Sequence, residues 1–229
     1  MASARLTATC IVITVAAALL LGGCSLWTDL FGDDEEKSAA ELIDEGMTNL
    51  EKGRYEAATE AFQNAKDRYP YSQYAALAEL KMADALFKKR EYEAAYEGYT
   101  EFERLHPKHK EVPYVLYQKG MCNFSQMSTI DRDQSQTLLA KEDFEVLVRR
   151  FPQNDYAKRA RLNIRQCLIY LAEYELYVGH YYYKMGKYRS AMVRYANIIE
   201  RYPDMGQYHE AMEYITKCKD KIAEESEED

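Results

Sequence analysis

A cysteine placed behind a basic residue, an aliphatic run and two glycines is set up for one particular modification. Arg5 precedes an apolar run from Leu6 to Leu21, and Gly22-Gly23-Cys24 close it. A run this short, with a basic start and small residues at its end, reads as a secretory signal rather than a membrane span. The Leu-Gly-Gly-Cys ending has the form of a bacterial lipobox, in which Cys24 is diacylated and becomes the mature N-terminus. The expectation is therefore a lipoprotein signal peptide over residues 1–23, then a lipidated N-terminus and a flexible acidic tether over 24–38. Each buried methylene is worth about 0.8 kcal/mol, and more than one acyl chain gives stable anchoring. Ser25, directly after the cysteine, points to the outer rather than the inner membrane. The tether carries Asp33-Asp34-Glu35-Glu36, and its Trp27, Leu30 and Phe31 read as linker. Fully extended, it reaches roughly 40 Å from the bilayer, at about 3.3 Å per residue.

Other reactive side chains do not assemble into a catalytic pattern. His106 and His109 flank Pro107 without Cys or carboxylate at metal-ligand spacing, and His180 and His209 stand alone. Cys122, Cys167 and Cys218 are far apart and fall inside expected helices, so buried free thiols are the reading, with one bridge left open. No phosphate-binding loop or strand-turn-helix serine elbow is present. The cluster Asp131-Arg132-Asp133 reads as a loop-fixing group. The expectation is a protein that is not an enzyme and has no metal or cofactor beyond the lipid on Cys24. The net charge of −8 and the lack of a basic stripe set nucleic acid aside. The run Glu224-Glu225-Ser226-Glu227-Glu228-Asp229 reads as an acidic disordered tail over 223–229.

What these residues would be mounted on is written four times along the chain. Arg54-Tyr55-Glu56-Ala57-Ala58 leads to Phe62, Ala65 and Tyr69-Pro70; Glu91-Tyr92-Glu93-Ala94-Ala95 leads to Tyr99, Phe102 and His106-Pro107. Ala140, Phe144, Leu147 and Phe151-Pro152 form a third copy, and Lys187-Tyr188-Arg189-Ser190-Ala191 with Tyr195, Ile198 and Tyr202-Pro203 a fourth. In each copy Ala to Pro is 12 residues, with a ring four after the Ala, and four of the five prolines fall in this frame. Ala with apolar residues at plus four and plus seven makes one helical face, and the proline ends the helix. Gly46, Ala83 and Gly179 lie 12 before their Ala, with Gly120 offset in the third copy, and each marks a first helix that comes close to the second. A period in the thirties with this signature is that of tetratricopeptide (TPR) repeats. The fold expected is all-α, a TPR-type superhelical solenoid of antiparallel helix pairs over residues 39–222, about four and a half repeats.

The spacing predicts helices over 39–52 and 55–68, over 73–89 with Ser72 as N-cap, and over 91–105. It further predicts 113–125 opened by Pro113, an insertion at 126–135, then 136–150, one long helix after the N-cap Asn154 to about Met185, 188–201 and 207–222. In this frame the first helix of each pair points four residues inward. Those singled out as a peptide groove are Met47, Leu80, Asp84, Phe87, Tyr114, Tyr117, Met121 and Phe124. A groove so lined suits an extended peptide with aromatic or aliphatic anchors. The competing reading, that these rings only pack between helices, stays open.

Three features together resemble the BamD (ComL) family of the outer-membrane β-barrel assembly (BAM) machinery. They are the lipobox followed by repeats ending Arg68-Tyr69-Pro70 and Arg201-Tyr202-Pro203, the loop Asp131-Arg132-Asp133-Gln134 inserted in the third repeat, and a long helix. That helix carries Leu171-Ala172-Glu173-Tyr174-Glu175 and Tyr181-Tyr182-Tyr183, followed by Gly186-Lys187-Tyr188 and Arg194. The resemblance implies a lipid-anchored scaffold on the periplasmic face of the outer membrane. Its N-terminal repeats would receive the C-terminal segment of unfolded outer-membrane proteins. Its C-terminal repeats would dock the POTRA region of BamA, with Arg194 forming an ion pair, beside other BAM lipoproteins. One departure is expected: the acidic tail takes the place of the last helix of the family's fifth repeat. Two other readings fit lipobox and repeats: a pilotin or cell-wall-enzyme scaffold, and a helical metal-dependent hydrolase.

Overall fold

The second helix of each pair begins at the repeated phrase and ends two residues before its proline. The computed structural model describes residues 36–228; the signal peptide, Cys24 and most of the expected tether lie outside the described residues. In chain order the helices are α1 (Ala39–Glu51), α2 (Tyr55–Arg68), α3 (Ala75–Lys88), α4 (Tyr92–Leu105) and α5 (Val112–Phe124). They continue with α6 (Ser135–Arg150), α7 (Asp155–Lys184), α8 (Tyr188–Arg201) and α9 (Tyr208–Glu228). Each packs on its chain neighbours, and α5 also touches α7. The result is an all-α solenoid of helix pairs, as the period predicts.

The four phrase rings organise four local cores. Phe62, Tyr99, Phe144 and Tyr195 are all fully buried, as are the alanines four residues before them, Ala58, Ala95, Ala140 and Ala191. Their space comes from the small residue on the facing helix. A Cβ added to Gly120 or Gly179 would stand 2.5 Å from a ring carbon of Phe144 or Tyr195, and Gly46 meets Phe62 in the same way. A further residue, 20 after each phrase Ala, is also fully buried: Ala78, Val115, Ala160 and Ala211. It belongs to the next pair's first helix, so each phrase seals both its own pair and the following one.

Three tight turns share one backbone feature. Gly53 and Gly186 have φ of +71°, and Arg90, at the matching place before the second phrase, has φ of 68°. That region suits glycine, and Arg90 occupies it only because the turn between helices requires it.

The differences from the expected boundaries have local causes. Ser72 does not cap α3: its hydroxyl accepts from the Tyr74 N–H at 3.3 Å, closing a turn, and the helix starts at Ala75. Asn154 caps α7 as expected, accepting from the Tyr156 N–H at 2.9 Å. At α1 the cap is a Ser38–Glu41 capping box, and the Tyr69 hydroxyl donates to the Lys37 carbonyl at 2.9 Å. The acidic run read as a disordered tail instead continues α9 to Glu228. Lys221 pairs with Glu224 one turn on at 2.6 Å, and the Ser226 hydroxyl donates to the Ile222 carbonyl, so the run has helical partners of its own. Among the described residues no helix is long and apolar enough to cross a membrane.

Candidate functional site

An enclosed cluster of polar side chains lies where α3, α4 and α5 meet. Asp84 is 7% exposed. It accepts from the Tyr99 hydroxyl at 2.8 Å and the Tyr114 hydroxyl at 2.7 Å, and pairs with Lys81 at 2.8 Å. Gln118 adds a donor to the Tyr114 oxygen at 3.0 Å. Burial first, then the Asp84 charge, pushes both phenols well above their ordinary range, so they stay donors. Asp84 is therefore a hub joining three helices rather than a surface group waiting for a ligand.

Two members of this hub face open space. Tyr114 and Lys81, with Leu77, Leu80, Tyr156 and Lys110, line a cleft of about 490 Å³ between α3, the start of α5 and the first turn of α7. Leu77 is 38% exposed, Ala76 extends the apolar floor, and Gln73, His109 and Glu111 complete the rim. Tyr156 packs against Tyr114 and Tyr117 at centroid distances of 5.4 and 5.5 Å, and the Arg159 guanidinium lies 5.7 Å above its ring. An apolar floor with hydrogen-bonding and cationic groups at the rim is suited to hold an apolar side chain next to a polar or anionic end.

Of the eight residues picked out as groove-lining, Leu80 and Tyr114 meet at this cleft, with Asp84 directly behind Tyr114. Phe124 lines a separate hollow of about 300 Å³ with Met127 and Tyr170. Met47 is half-buried against the first core, and Phe87 stacks edge-on to Tyr92 at 5.4 Å. Tyr117 packs on Phe144 at 5.7 Å, and Asn163 reaches both the Tyr117 oxygen and the Met121 sulfur. These four side chains are engaged in packing between helices. Tyr156 and Lys110 were not anticipated. The frame counts from each pair's own Ala, and α7 begins early enough for its first turn to reach back to the preceding first helix.

Arg194 on α8 is half-buried, its Nη1 3.4 Å from both carboxylate oxygens of Glu175 on α7, and Asn197 donates to the same carboxylate at 3.3 Å. On the adjacent seam His180 sits between the Tyr195 hydroxyl at 2.9 Å and Glu210 of α9 at 3.1 Å. In the inserted loop Asp131 accepts from the Thr129 hydroxyl, Asp133 accepts from the Ser135 N–H at 2.9 Å, and Gln134 donates to two loop carbonyls. The acidic pair fixes the loop, as read. Cys122, Cys167 and Cys218 are free and buried; burial pushes the first two thiols up to about 12, which leaves them unreactive. Among the described residues no group of three or more His, Cys, Asp or Glu is placed to hold a metal ion.

Comparison with known proteins matches residues 35–229 to the family described as YfiO, outer membrane lipoprotein. Among curated proteins, the chain is 33% identical over 158 residues to the outer membrane protein assembly factor BamD of Rickettsia prowazekii. That match covers 69% of this chain and 62% of the relative. The proteins of the same name from Vibrio cholerae and Neisseria meningitidis serogroup A are each 29% identical, over 70% and 66% of this chain and 69% and 61% of the relative. The chain thus spans roughly three fifths to two thirds of the length of these relatives.

Proposed function

This chain belongs to the YfiO outer membrane lipoprotein family, and from that premise we propose that it is a lipid-anchored, non-catalytic scaffold in the assembly of outer-membrane β-barrels. Cys24 carries the anchor, and the repeats stand on the periplasmic face. The first helices receive an extended segment of an unfolded outer-membrane protein, and the α8 surface around Arg194 docks the POTRA region of BamA beside other lipoproteins of the complex. The names of the relatives support the assembly role.

The observation that carries the substrate half is the cleft between α3, α5 and α7. Its apolar floor of Leu77 and Leu80 takes a side chain, and Lys81 and Lys110 at the rim suit a carboxylate. Holding Tyr114 and Lys81 through Asp84 keeps the cleft formed before a ligand arrives, which lowers the ordering cost of binding. Calorimetry with a peptide ending in phenylalanine is the test. Leu77→Asp combined with Tyr114→Ala is expected to weaken binding by at least about tenfold, roughly 1.4 kcal/mol. Equal affinity in a folded variant removes the cleft from the mechanism.

The docking half has its own test. Arg194→Glu is expected to abolish recovery of BamA in a pull-down from detergent extract, and Glu175→Gln, which releases the guanidinium from its internal partner, to retain it. Loss of recovery in both variants would mean that the Arg194–Glu175 bridge, rather than a free Arg194, shapes the surface.

A further inference from the structure

The first half of α7 gathers positive charge that the ordinary distribution along a helix does not call for. The chain places Glu41, Glu56 and Glu93 in the first turns of α1, α2 and α4, and Lys66, Arg68, Lys88, Arg104 and Arg201 in last turns. That arrangement matches the helix dipole. α7 has the same ends, Asp155 in its first turn and Lys184 in its last, but Lys158, Arg159, Arg161 and Arg165 follow directly on Asp155. With Arg149 and Arg150 at the end of α6, residues 149–165 hold six cations against one carboxylate, in a chain of net charge −8. In sequence these cations are interleaved with Tyr156, Ala157 and Ala160, so no basic stripe stands out. Helical spacing separates the two sets: the alanines turn inward, and Lys158, Arg161, Leu162 and Arg165 share the exposed face at i, i+3, i+4 and i+7.

Little within the protein neutralises this face. Arg149, Arg159 and Arg165 have no ion-pair partner among the described residues. Lys158 pairs only with the highly exposed Asp155, and Arg161 gives one N–H to the Pro152 carbonyl. Like charges one turn apart repel by a few tenths of a kcal/mol. In the middle of the face Leu162 is 70% exposed.

We propose that the exposed face of Lys158, Arg161, Leu162 and Arg165, flanked by Arg149, is a docking site for a short acidic segment of a partner protein carrying an apolar residue among its carboxylates. The side-chain types favour this occupant. Three of these four cations are arginine, whose planar fork matches carboxylates two bonds at a time, and the leucine offers an apolar anchor. The surroundings weigh against an extended polyanion. Charges are felt over about 8 Å at physiological salt, so a short segment meets only the face, whereas a nucleic acid or an anionic bilayer also meets the acidic remainder of the chain. This surface is separate from the cleft and from Arg194, so it stands or falls independently of the proposed function.

The test is fluorescence anisotropy on the full mature chain, with a short labelled peptide of glutamate, aspartate and leucine as probe. Lys158→Glu with Arg165→Glu changes two exposed side chains, and circular dichroism verifies that the helices persist. Binding to the wild type is expected to weaken with salt, to fall at least about tenfold in the double variant, and to fall about threefold in Arg165→Lys, which keeps the charge and loses the fork. Peptide binding that is unchanged in the double variant overturns the proposal. So does tighter, face-dependent binding to phosphatidylglycerol vesicles or to a single-stranded oligonucleotide.

Discussion

The ring at the centre of the first and third helix pairs lacks the one oxygen atom carried by that of the second and fourth, and the residue beside it changes too. Phe62 and Phe144 occupy the places held by Tyr99 and Tyr195, and all four rings are fully buried. Next to the small residue beneath each ring stands Met47 or Met121 where the ring is phenylalanine, and Asp84 or His180 where it is tyrosine. The tyrosine hydroxyls reach those polar partners at 2.8 and 2.9 Å. A buried hydroxyl without a partner costs about 1–3 kcal/mol, so the ring and the residue beyond the small one are a matched set. The polar sets also reach further: Asp84 gathers Lys81 and Tyr114 of the next pair, and His180 contacts Glu210 of α9. Every pair meets the next through apolar contact, and the polar pairs add hydrogen bonds and charge to that seam.

The largest effect expected from this contrast is at Asp84. Asp84→Leu strands the Tyr99 and Tyr114 hydroxyls and frees Lys81, and is expected to cost about 3 kcal/mol or more in urea unfolding. Next comes the swap in the other direction. Phe144→Tyr places a hydroxyl against Met121 and is expected to cost about 2 kcal/mol. Adding Met121→His copies the fourth pair, and a double-mutant cycle is expected to return a favourable coupling of at least about 0.5 kcal/mol. A neutral Phe144→Tyr would break the matched-set account. Tyr195→Phe is milder, about 1 kcal/mol, because His180 keeps Glu210 when the hydroxyl leaves.

The solenoid was legible because the constraint on it is local and periodic. Ala, ring and proline at fixed spacing describe one helix against one neighbour, and α8 was placed at Tyr188–Arg201 from that alone. The surface was less legible, because it depends on how repeats meet. Asp84 read as groove-lining, since its offset points inward, yet Tyr99 and Tyr114 cover it. Tyr156 and Lys110 entered the cleft from the next repeat, where an early helix start and a turn decide their position. The acidic end was taken from its charge to be disordered, but Lys221 and Ser226 supply helical partners within it.

A second, half-buried aspartate sharpens the contrast by lacking what Asp84 has. Asp143 of α6 accepts from Asn123 at 2.7 Å and from the Tyr96 hydroxyl at 3.2 Å, both neutral donors, whereas Asp84 has Lys81 in contact. Burial pushes the Asp143 carboxyl above its ordinary value, and the more distant Lys119 charge only partly opposes this. Between its unfolded and folded values the native state holds a proton that the unfolded chain has released. Stability from this group therefore falls as pH rises through the folded value, and the penalty disappears below the unfolded one. Glu103 behaves in the opposite sense: burial raises its pKa, but the hydrogen bond from Arg150 and the charge of Lys119 outweigh it and hold the carboxyl low. Its contribution is present above the unfolded value and is lost as pH falls through the folded one. Asp143→Asn is accordingly expected to match or exceed the wild type at about pH 7, with the difference closing toward about pH 4, and Glu103→Gln to lose stability at neutral pH and converge with the wild type in acid. Urea midpoints at the two pH values decide between them. A destabilised Asp143→Asn at neutral pH would show that its two hydrogen bonds need the full negative charge, and cation-backed and neutral-backed carboxylates would then not differ.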